Sequence, residues 1–427
     1  MELVRVEVNR EWREGQAART ADAPLGRGRL TIGDARAELE ALLPEWAGKI
    51  KLVYLDPPYL TGEKFSMRVR VGEDEWKSGK GTLALPAFED TKNREAYLSM
   101  MRPVLALCHK LLSDDGMLFL HIDYRAHPYM RLMLDEIFGE SNFLNEIIWV
   151  YQSGGRSTKY FSRKHDVILF YRKSAKYDFN LAEIMTTPSE PRSNHMRRHV
   201  DPDGRVYRSI RSNGRIYTYY DDDPVAPSDV WNDLSHLQQR DPERTGYDTQ
   251  KPLRLLERVI LSSSRPGDLV CDLFSGSGTT LEAAWLNGRR CVAVDMSGHA
   301  LETTRRRMNG ANISYTAPEC AGTPEAEADM EPGIAYYDVR LNRYEIEPGV
   351  CARTFSGLDA VDNWSVGYLR GGVYKSEAAS YRLRQKPALD TVLQLPVLEG
   401  KPCLRVGDVM GRHFYYLLDG GDADGIF

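Results

Sequence analysis

The strongest constraint on the fold is a glycine-containing turn between a predicted strand and a predicted helix. An apolar run over 268–273 is typical of a buried strand, and it leads through FSGSGT (274–279) into a helical pattern over 279–287. Glycines let the backbone approach a ligand, and free N–H groups at a helix start attract a negative group. Asp295 stands nineteen residues after Gly276, where an acid can accept hydrogen bonds from ribose hydroxyls. The pattern predicts a parallel α/β sheet that binds a ribose-bearing ligand.

Two common nucleotide-binding motifs do not fit this turn. The third glycine of the dinucleotide-binding fingerprint would fall at Leu281, and no Lys-Ser or Lys-Thr pair closes the turn as in a P-loop. The alternative is a glycine turn that binds nothing. The joint presence of strand, helix and a spaced Asp295 favours the ligand-binding interpretation.

Alternating predicted strands and helices before and after one irregular region indicate a single α/β domain in two parts. Within the first part, residues 61–90 are polar and predict a long loop of the kind that often covers a site. The predicted divisions are 1–174 and 246–315 for the two parts of the α/β domain, 175–245 for the insert, 316–333 for a Pro-, Ala- and Glu-rich linker, and 334–427 for a β-rich module.

A rigid turn, Asp56-Pro57-Pro58-Tyr59, ends the predicted strand over 52–55. Two prolines cannot continue a strand, and ligands of open α/β sheets bind at this edge. The Asp56 carboxylate and the Pro57 carbonyl are two acceptors that can hold both hydrogens of an exocyclic amine, while the Tyr59 ring can stack on a planar base. A structural proline turn with no ligand is the alternative.

Together these segments resemble those of the amino-methyltransferases of DNA, which methylate adenine N6 or cytosine N4 with S-adenosylmethionine. DPPY at 56–59 is similar to the family's catalytic motif, and FSGSGTT at 274–280 is similar to its cofactor motif. TQKP at 249–252, KHDVILFY at 164–171 and Gly33-Asp34 resemble three further segments of the family.

The order of the motifs, catalytic before cofactor, resembles the circularly permuted beta group, and the likeness extends over about residues 29–310. It implies an α/β, Rossmann-like, doubly wound and mostly parallel sheet, with an inserted target-recognition region and a small β-rich C-terminal module. The implied reaction is methyl transfer from S-adenosylmethionine to the exocyclic amine of a flipped base. DPPY followed by Thr61-Gly62 favours adenine N6.

The resemblance also implies roles for individual residues. Asp56 and Pro57 orient the target amine, Pro58 helps to keep the turn rigid, and Tyr59 stacks on the base. Phe274 through Thr279 line the methionine end of the cofactor. Asp295 holds its ribose, and Asp34 faces its adenine. The implied cofactor residues are Asp34, Gln250, Lys251, Asp272, Phe274, Ser275, Gly276, Ser277, Gly278, Thr279 and Asp295.

Two departures from the family pattern and three alternatives accompany this interpretation. Leu60 stands where the family often has Asn, and Asp295 stands where Glu is frequent, but neither change removes a catalytic atom. The alternatives are a cytosine-N4 DNA methyltransferase, a catalytically silent module that binds cofactor and DNA, and a methyltransferase of RNA or a small molecule. No metal site is predicted, because His195 and His199 lack cysteine partners.

Charge is unevenly distributed along the chain. The formal net charge of -5 by itself argues against a nucleic-acid partner. Residues 151–220, however, hold fourteen Lys and Arg against six acids, and eight tyrosines are interleaved. Basic side chains bind phosphates, and Arg is the commonest reader of guanine edges. We therefore expect double-stranded DNA as the partner, with base flipping; the predicted contacts are Arg192, Arg197, Arg198, Arg208 and Arg211.

The remaining bulk features predict a cytoplasmic protein, and the resemblance implies one of bacterial or phage type that is associated with the nucleoid. The six cysteines form no CxxC pair, and no apolar run approaches the roughly 20 residues of a membrane helix. Residues 316–427 are acidic, with eleven basic and seventeen acidic side chains, and predict either a docking or dimerisation module or a stabilising cap. A homodimer and a separate restriction or defence subunit are both open as partners.

Overall fold

A computed structural model describes most of the chain. The described residues are 5–8, 28–78, 81–151, 157–186, 196–238, 240–311, 313–371 and 373–418. Of the predicted site residues only Arg192 lies outside them, together with His195.

The helices and strands follow the predicted α/β rhythm. The α-helices are α1 (Ala35–Trp46), α2 (Gly72–Ser78), α3 (Arg94–Leu111), α4 (His127–Phe138), α5 (Leu253–Ser263), α6 (Thr279–Leu286) and α7 (Gly298–Arg307). The strands of the first half are β1 (Arg5–Val8), β2 (Gly28–Ile32), β3 (Ile50–Leu55), β4 (Lys64–Val69), β5 (Leu83–Glu89), β6 (Leu112–Ile122), β7 (Phe143–Val150), β8 (His165–Arg172), β9 (Arg197–Val200), β10 (Val206–Ser212), β11 (Arg215–Tyr220) and β12 (Val230–Trp231). The later strands are β13 (Leu269–Asp272), β14 (Arg290–Asp295), β15 (Ile313–Ala317), β16 (Glu325–Pro332), β17 (Tyr336–Glu345), β18 (Val361–Arg370), β19 (Val373–Tyr381), β20 (Val392–Pro396), β21 (Lys401–Asp408) and β22 (His413–Leu417).

One large sheet runs through the molecule in the order β12-β7-β8-β6-β3-β13-β14-β2-β15-β1-β19-β18-β21-β22. Its centre, from β6 to β15, is entirely parallel. Every residue of β3 and of β13 is buried, which is why 52–55 and 269–271 are continuous apolar runs in the sequence rather than alternating ones.

Helices cover both faces of the parallel centre. On one face, side chains of α1, α3 and α4 pack with Val53 and Leu55 in a first core. On the other face, side chains of α5, α6 and α7 pack with Leu52 and Tyr54 in a second core. Alternate residues of β3 therefore enter opposite cores, as the pleat requires. The predicted doubly wound, mostly parallel fold is confirmed.

Residues 61–90, predicted as a loop, are largely regular. β4 and β5 form an antiparallel hairpin with α2 between them, hereafter the 64–89 hairpin. The prediction was wrong because it relied on polar and glycine-containing composition. The short β4 exposes Lys64 and Arg68 while it buries Met67 and Val69, so its alternation is weak.

The linker predicted over 316–333 also differs from the structure, since β16 occupies eight of its eighteen residues and pairs with β17. β16 places Ala326, Ala328 and Met330 on its less exposed face, and this two-residue period was hidden by the Glu-rich composition. β16, β17 and β20 form a separate sheet. β18, β19, β21 and β22 instead extend the large sheet, joined to β15 through β1.

The C-terminal strands also pack against the 64–89 hairpin. Met67, Val69 and Leu85 of the hairpin share a third core with Val339 and Trp364. A hydrogen bond also joins the start of α2 to the C-terminal part of the chain, since the Gly72 N–H donates to the Asp359 carbonyl at 3.2 Å. The position of the hairpin therefore depends on the C-terminal strands, which favours the cap over the docking module.

The predicted insert contains a small sheet of β9, β10 and β11. Most of its residues are exposed on both faces. Within the described ranges, none of the helices combines the length and hydrophobicity that a bilayer crossing requires.

Candidate active site

A cavity of about 790 Å³ opens at the carboxyl edge of the parallel strands. It is lined by all the predicted catalytic and cofactor residues except Gly278. Strand register explains this, because Tyr54 pairs with Asp272 and Asp272 pairs with Ala293 in adjacent parallel strands. The chain segments that follow β3, β13 and β14 therefore begin side by side.

The DPPY turn at 56–59, predicted to be catalytic and hereafter called the catalytic turn, is anchored by a short ion pair. Lys251 Nζ lies 2.5 Å from Asp56 Oδ2, and the two side chains are only 12% and 14% exposed. The Tyr59 hydroxyl donates to Asp56 Oδ1, and the Lys251 ammonium lies 5.3 Å from the centre of the Tyr59 ring. The resemblance implies that Lys251 lies near the cofactor, and the structure places its ammonium against the Asp56 carboxylate.

A buried acid that sequence reasoning missed holds the other side of this turn. Asp90 Oδ2 accepts hydrogen bonds from the N–H of Tyr59 at 3.0 Å and of Thr61 at 2.7 Å, and from the Thr61 hydroxyl at 2.8 Å. Between these anchors Leu60 has a φ of 61°, in the left-handed region. Asn tolerates that region better than Leu, which gives a physical reason for the asparagine that the resembled family often carries there.

The strain at Leu60 gives a stability prediction. Leu60→Val is expected to lower the free energy of unfolding by about 1–2 kcal/mol, since a β-branched residue is poorly accommodated at positive φ. Leu60→Asn should stay within about 1 kcal/mol of the wild type, because relief of strain offsets the lost packing against the first core. Urea unfolding of the two variants tests this order, and a more stable Val variant would contradict it.

A chain of polar side chains supports the turn from below. Tyr54 Oη lies 2.9 Å from His121 Nδ1, and His121 Nε2 lies 3.3 Å from Asp166 Oδ2. Burial alone would raise the pKa of Asp166, but its hydrogen bond with His121 and other partners hold it below the usual value. The His121 ring also stacks on Tyr59, with centroids 6.2 Å apart. The resemblance of KHDVILFY to a family segment had marked the stretch that contains Asp166, whereas no sequence motif marked His121.

The glycine turn has the backbone that its sequence requires. Gly276 and Gly278 have φ of 51° and 78°, and a Cβ on Gly278 would lie 2.6 Å from Thr304 Oγ1. The Gly276 N–H donates to Asp295 Oδ2 at 2.7 Å. Gly278 thus serves the packing of α7 rather than the cavity lining.

The cavity residues fit a ribose-bearing ligand. Ser275 Oγ is buried, and among the described residues no group hydrogen-bonds to it. Burial raises the pKa of Asp295, although the N–H groups of Ser297 and Gly276 favour its charged form. Asp34 lines the cavity while it caps α1 by accepting from the Ala37 N–H at 3.0 Å. An unsatisfied hydroxyl and two acids are the acceptors and donors that a hydroxyl-rich ligand would use.

Gln250 instead serves its own loop. Its Oε1 accepts from the N–H and from the hydroxyl of Thr245, both at 2.8 Å, and its Nε2 donates to the Glu243 carbonyl at 2.9 Å. The amide therefore shapes the loop that carries Lys251 into the cavity.

Arg307, at the end of α7, is a further residue that sequence reasoning missed. The buried guanidinium donates to Thr279 Oγ1 at 3.1 Å and pairs with Glu282 and, at 3.2 Å, with Glu243. One side chain thus ties the glycine turn to the loop before α5. The distance of 28 residues between Arg307 and Thr279 explains why no local pattern indicated it.

Asp272 is buried beneath the glycine turn. Its carboxylate accepts from the Thr280 hydroxyl at 2.5 Å and from the Phe274 N–H at 3.0 Å. Burial nevertheless raises its pKa to about 7. The folded state therefore binds this proton more tightly than the unfolded state, whose Asp pKa is about 3.9.

Stability should follow from that difference. The contribution of protonated Asp272 is fully present below pH ~4 and is lost as the pH rises through about 7. Asp272→Asn lacks this titration, so its free energy of unfolding relative to the wild type should rise by about 2–3 kcal/mol between pH 5 and pH 8. Urea unfolding of both proteins at the two pH values checks this, and parallel pH profiles would refute it.

Comparison with known proteins decides the family. The DNA methylase family model, of N6 and N4 methyltransferases, matches residues 50–306, which contain both the DPPY turn and the glycine turn. This chain belongs to the DNA methylase family. The predicted family is confirmed.

Curated relatives of this DNA methylase include restriction-modification enzymes. The chain is 31% identical over 305 residues to the type II methyltransferase M.EcaI of Enterobacter cloacae, covering 61% of this chain and 64% of that protein. It is 28% identical to the DNA adenine methyltransferase YhdJ of Escherichia coli, covering 68% of this chain and 85% of that protein. It is 25% identical to the Mod subunit of the type III enzyme StyLTI of Salmonella typhimurium, covering 59% and 48%.

The DNA methylase cavity has an aromatic wall that belongs to the 64–89 hairpin. Phe65 and Phe88 line the cavity and stack with centroids 4.7 Å apart. The hairpin base meets the catalytic turn, since the Asp90 N–H donates to the Glu63 carbonyl at 3.0 Å. The wall and the catalytic turn are therefore fixed to each other through Asp90.

The predicted DNA contacts of this DNA methylase lie on the small insert sheet. Arg197, Arg198 and Arg211 are exposed. Arg208 is less accessible, because it pairs with Asp221 at 3.1 Å. Arg192 lies outside the described residues.

Proposed function

We propose that this DNA methylase transfers a methyl group from S-adenosylmethionine to the N6 amine of an adenine turned out of duplex DNA. The observation that carries the proposal is the meeting of the DPPY turn and the glycine turn in one cavity. An acceptor pair for an amine and a site for a ribose-bearing ligand thus share one space.

The catalytic turn can hold the amine without losing its anchors. A carboxylate has about four lone-pair sites, so Asp56 keeps acceptor capacity while it binds Lys251 and Tyr59. Asp56 and the Pro57 carbonyl would take the two amine hydrogens and so aim the nitrogen lone pair. The Tyr59 ring would stack on the base. Its hydroxyl is kept protonated because burial, and then Asp56, raise the pKa of Tyr59 well above the usual value.

Different residues of the cavity would bind different parts of the cofactor. Asp295 would hold the ribose hydroxyls, Asp34 would face the adenine, and Phe274 to Thr279 would line the methionine end. Bound S-adenosylmethionine would supply a methyl group on a sulfonium, which is already an activated leaving group. The residues of this chain therefore need mainly to align the amine with that methyl carbon.

DNA would be held by the basic insert. Exposed Arg197, Arg198 and Arg211 can bind phosphates or read guanine edges. A base within a duplex cannot reach the cavity, so the target must be flipped. As relatives include Mod subunits, we propose a separate restriction or defence subunit as the partner in preference to a homodimer, and an association with nucleoid DNA. Co-purification of a second polypeptide with the native chain tests this choice.

Methyl transfer tests the proposal directly. Purified protein should move labelled methyl from S-adenosylmethionine to unmethylated genomic DNA, and Asp56→Ala should abolish the transfer while cofactor binding persists. Sequencing the modified bases of expressing cells gives the base and the site. N6-methyladenine is expected, whereas N4-methylcytosine would favour the alternative target. Cofactor binding with no transfer to any DNA would contradict the proposal.

A further inference from the structure

An exposed group of aromatic and arginine side chains lies beside the cavity. We call Tyr124, Arg125, Tyr160, Phe161 and Arg163 the rim cluster. Its rings are 42% exposed at Tyr124, 60% at Tyr160 and 98% at Phe161. Phe161 is thus almost wholly in water, which is an unfavourable place for a phenyl ring.

The strand register places the rim cluster at the catalytic edge of the sheet. Leu55 pairs with Leu120 in the adjacent parallel strand, so the segment after β6 that carries Tyr124 starts next to Asp56. On the other side of the cluster, β8 begins at His165, two residues after Arg163, and its second residue, Asp166, belongs to the polar chain beside Tyr59. The loop over 157–164 therefore lies at the carboxyl edge of the sheet, the edge at which the cavity opens.

Contacts among the described residues hold the loop in place, whereas the ring of Phe161 stays exposed to solvent. The Arg163 guanidinium lies over the Tyr124 ring at 4.0 Å and over the Tyr160 ring at 4.8 Å. The Tyr160 N–H donates to Ser157 Oγ, and the Ser157 N–H donates to Ser162 Oγ, both at 3.2 Å. Tyr160 and Ser162, the neighbours of Phe161, are thus both hydrogen-bonded within the loop. An ordered loop therefore presents the Phe161 ring to solvent.

The charge around the ring matches a polyanion. Residues 157–165 contain Lys159, Arg163 and Lys164 and no acid. In the adjacent segment, Arg125 is paired with Asp123 and lies over Tyr124. Cations that flank an exposed aromatic ring suit a partner that offers phosphates next to stacked planar bases.

We propose that Phe161 enters the base stack of duplex DNA and fills the space that the target base leaves when it turns into the cavity. Apolar side chains of DNA-binding proteins can insert between base steps in this way, which keeps the helix open while its neighbours grip the backbone. The inference rests on the proposed function and adds the side chain that stabilises the flipped state. Arg163, by holding Tyr124 and Tyr160, acts as a positioning residue for it.

Single-turnover methyl transfer to two duplexes tests the role of Phe161. Both duplexes carry the site mapped by sequencing, and one has an abasic position opposite the target base. Phe161→Ala should lower the rate on the matched duplex about tenfold or more, yet stay within about twofold of the wild type on the abasic duplex, where the base flips more easily. Phe161→Trp should retain the wild-type rate on both.

Matched controls separate this role from other effects. Leu132→Ala removes another exposed apolar side chain, on α4, and should leave both rates unchanged. A wild-type rate for Phe161→Ala on the matched duplex, or an equal loss on both duplexes, would overturn the inference while the proposed function stands. Absence of transfer by the wild-type protein to either duplex would instead overturn the proposed function, and this inference with it.

Discussion

Lys251→Met is expected to lower kcat for methyl transfer by about a hundredfold or more. Removing the ammonium leaves the largely buried Asp56 carboxylate without its 2.5 Å partner, and breaking such a pair typically costs about 3–5 kcal/mol. The Tyr59 hydroxyl would then be the remaining side-chain anchor in the structure described above. Because Asp56 is the proposed acceptor for the amine, its misplacement should act on the transfer step.

Steady-state kinetics with DNA and cofactor varied separately measures this effect. Lys251→Arg keeps the charge and should recover part of kcat, although its fork-shaped head differs from an ammonium. Lys386→Met removes a cation from an exposed pair with Asp390, away from the cavity, and should change little. A raised KM for the cofactor with kcat intact would refute the prediction and support the cofactor position that the sequence suggested.

Arg307→Ala should weaken cofactor binding at least tenfold and lower the free energy of unfolding by about 3–5 kcal/mol. The change leaves the half-buried Glu243 and Glu282 unpaired and removes the donor that holds Thr279. Since Glu243 Oε1 also accepts from the Leu253 N–H at 2.8 Å, the start of α5 should loosen as well.

Calorimetric titration of the cofactor and urea unfolding measure the two effects of Arg307→Ala. Arg343→Ala is the matched control, because its pair with Glu345 lies on the surface, away from the cavity, and contributes about 0.5 kcal/mol or less. A variant with wild-type stability and weakened binding would show that Arg307 acts on the glycine turn alone. Wild-type values for both would refute the prediction.

The parts that could be predicted from the sequence are those encoded locally. Buried parallel strands such as β3 and β13 are continuous apolar runs, and the two turns that follow them carry their chemistry in adjacent residues. Sheet register then brings these turns together without further information, because neighbouring parallel strands end at one edge. This is why nearly all of the predicted site lines one cavity.

The parts that could not be predicted depend on contacts between distant residues. Asp90 holds Tyr59 across 31 positions, and His121 reaches Tyr54 across 67. No spacing rule links such pairs, so they become visible only when the chain is folded. The 64–89 hairpin was missed for a different reason, since its short strands are stabilised by the third core, which the distant C-terminal strands supply.

β1 ties the order of folding to the order of synthesis. This strand is synthesised before the strands of the parallel centre, yet both of its neighbours, β15 and β19, follow it by roughly three hundred positions or more. During translation Arg5–Val8 must therefore remain unpaired in the large sheet until β15, the last strand of the parallel centre, has been made. The C-terminal strands can join the parallel centre through β1 only after β19 has emerged. A nascent chain that stalls before that point should therefore be accessible to chaperones and proteases.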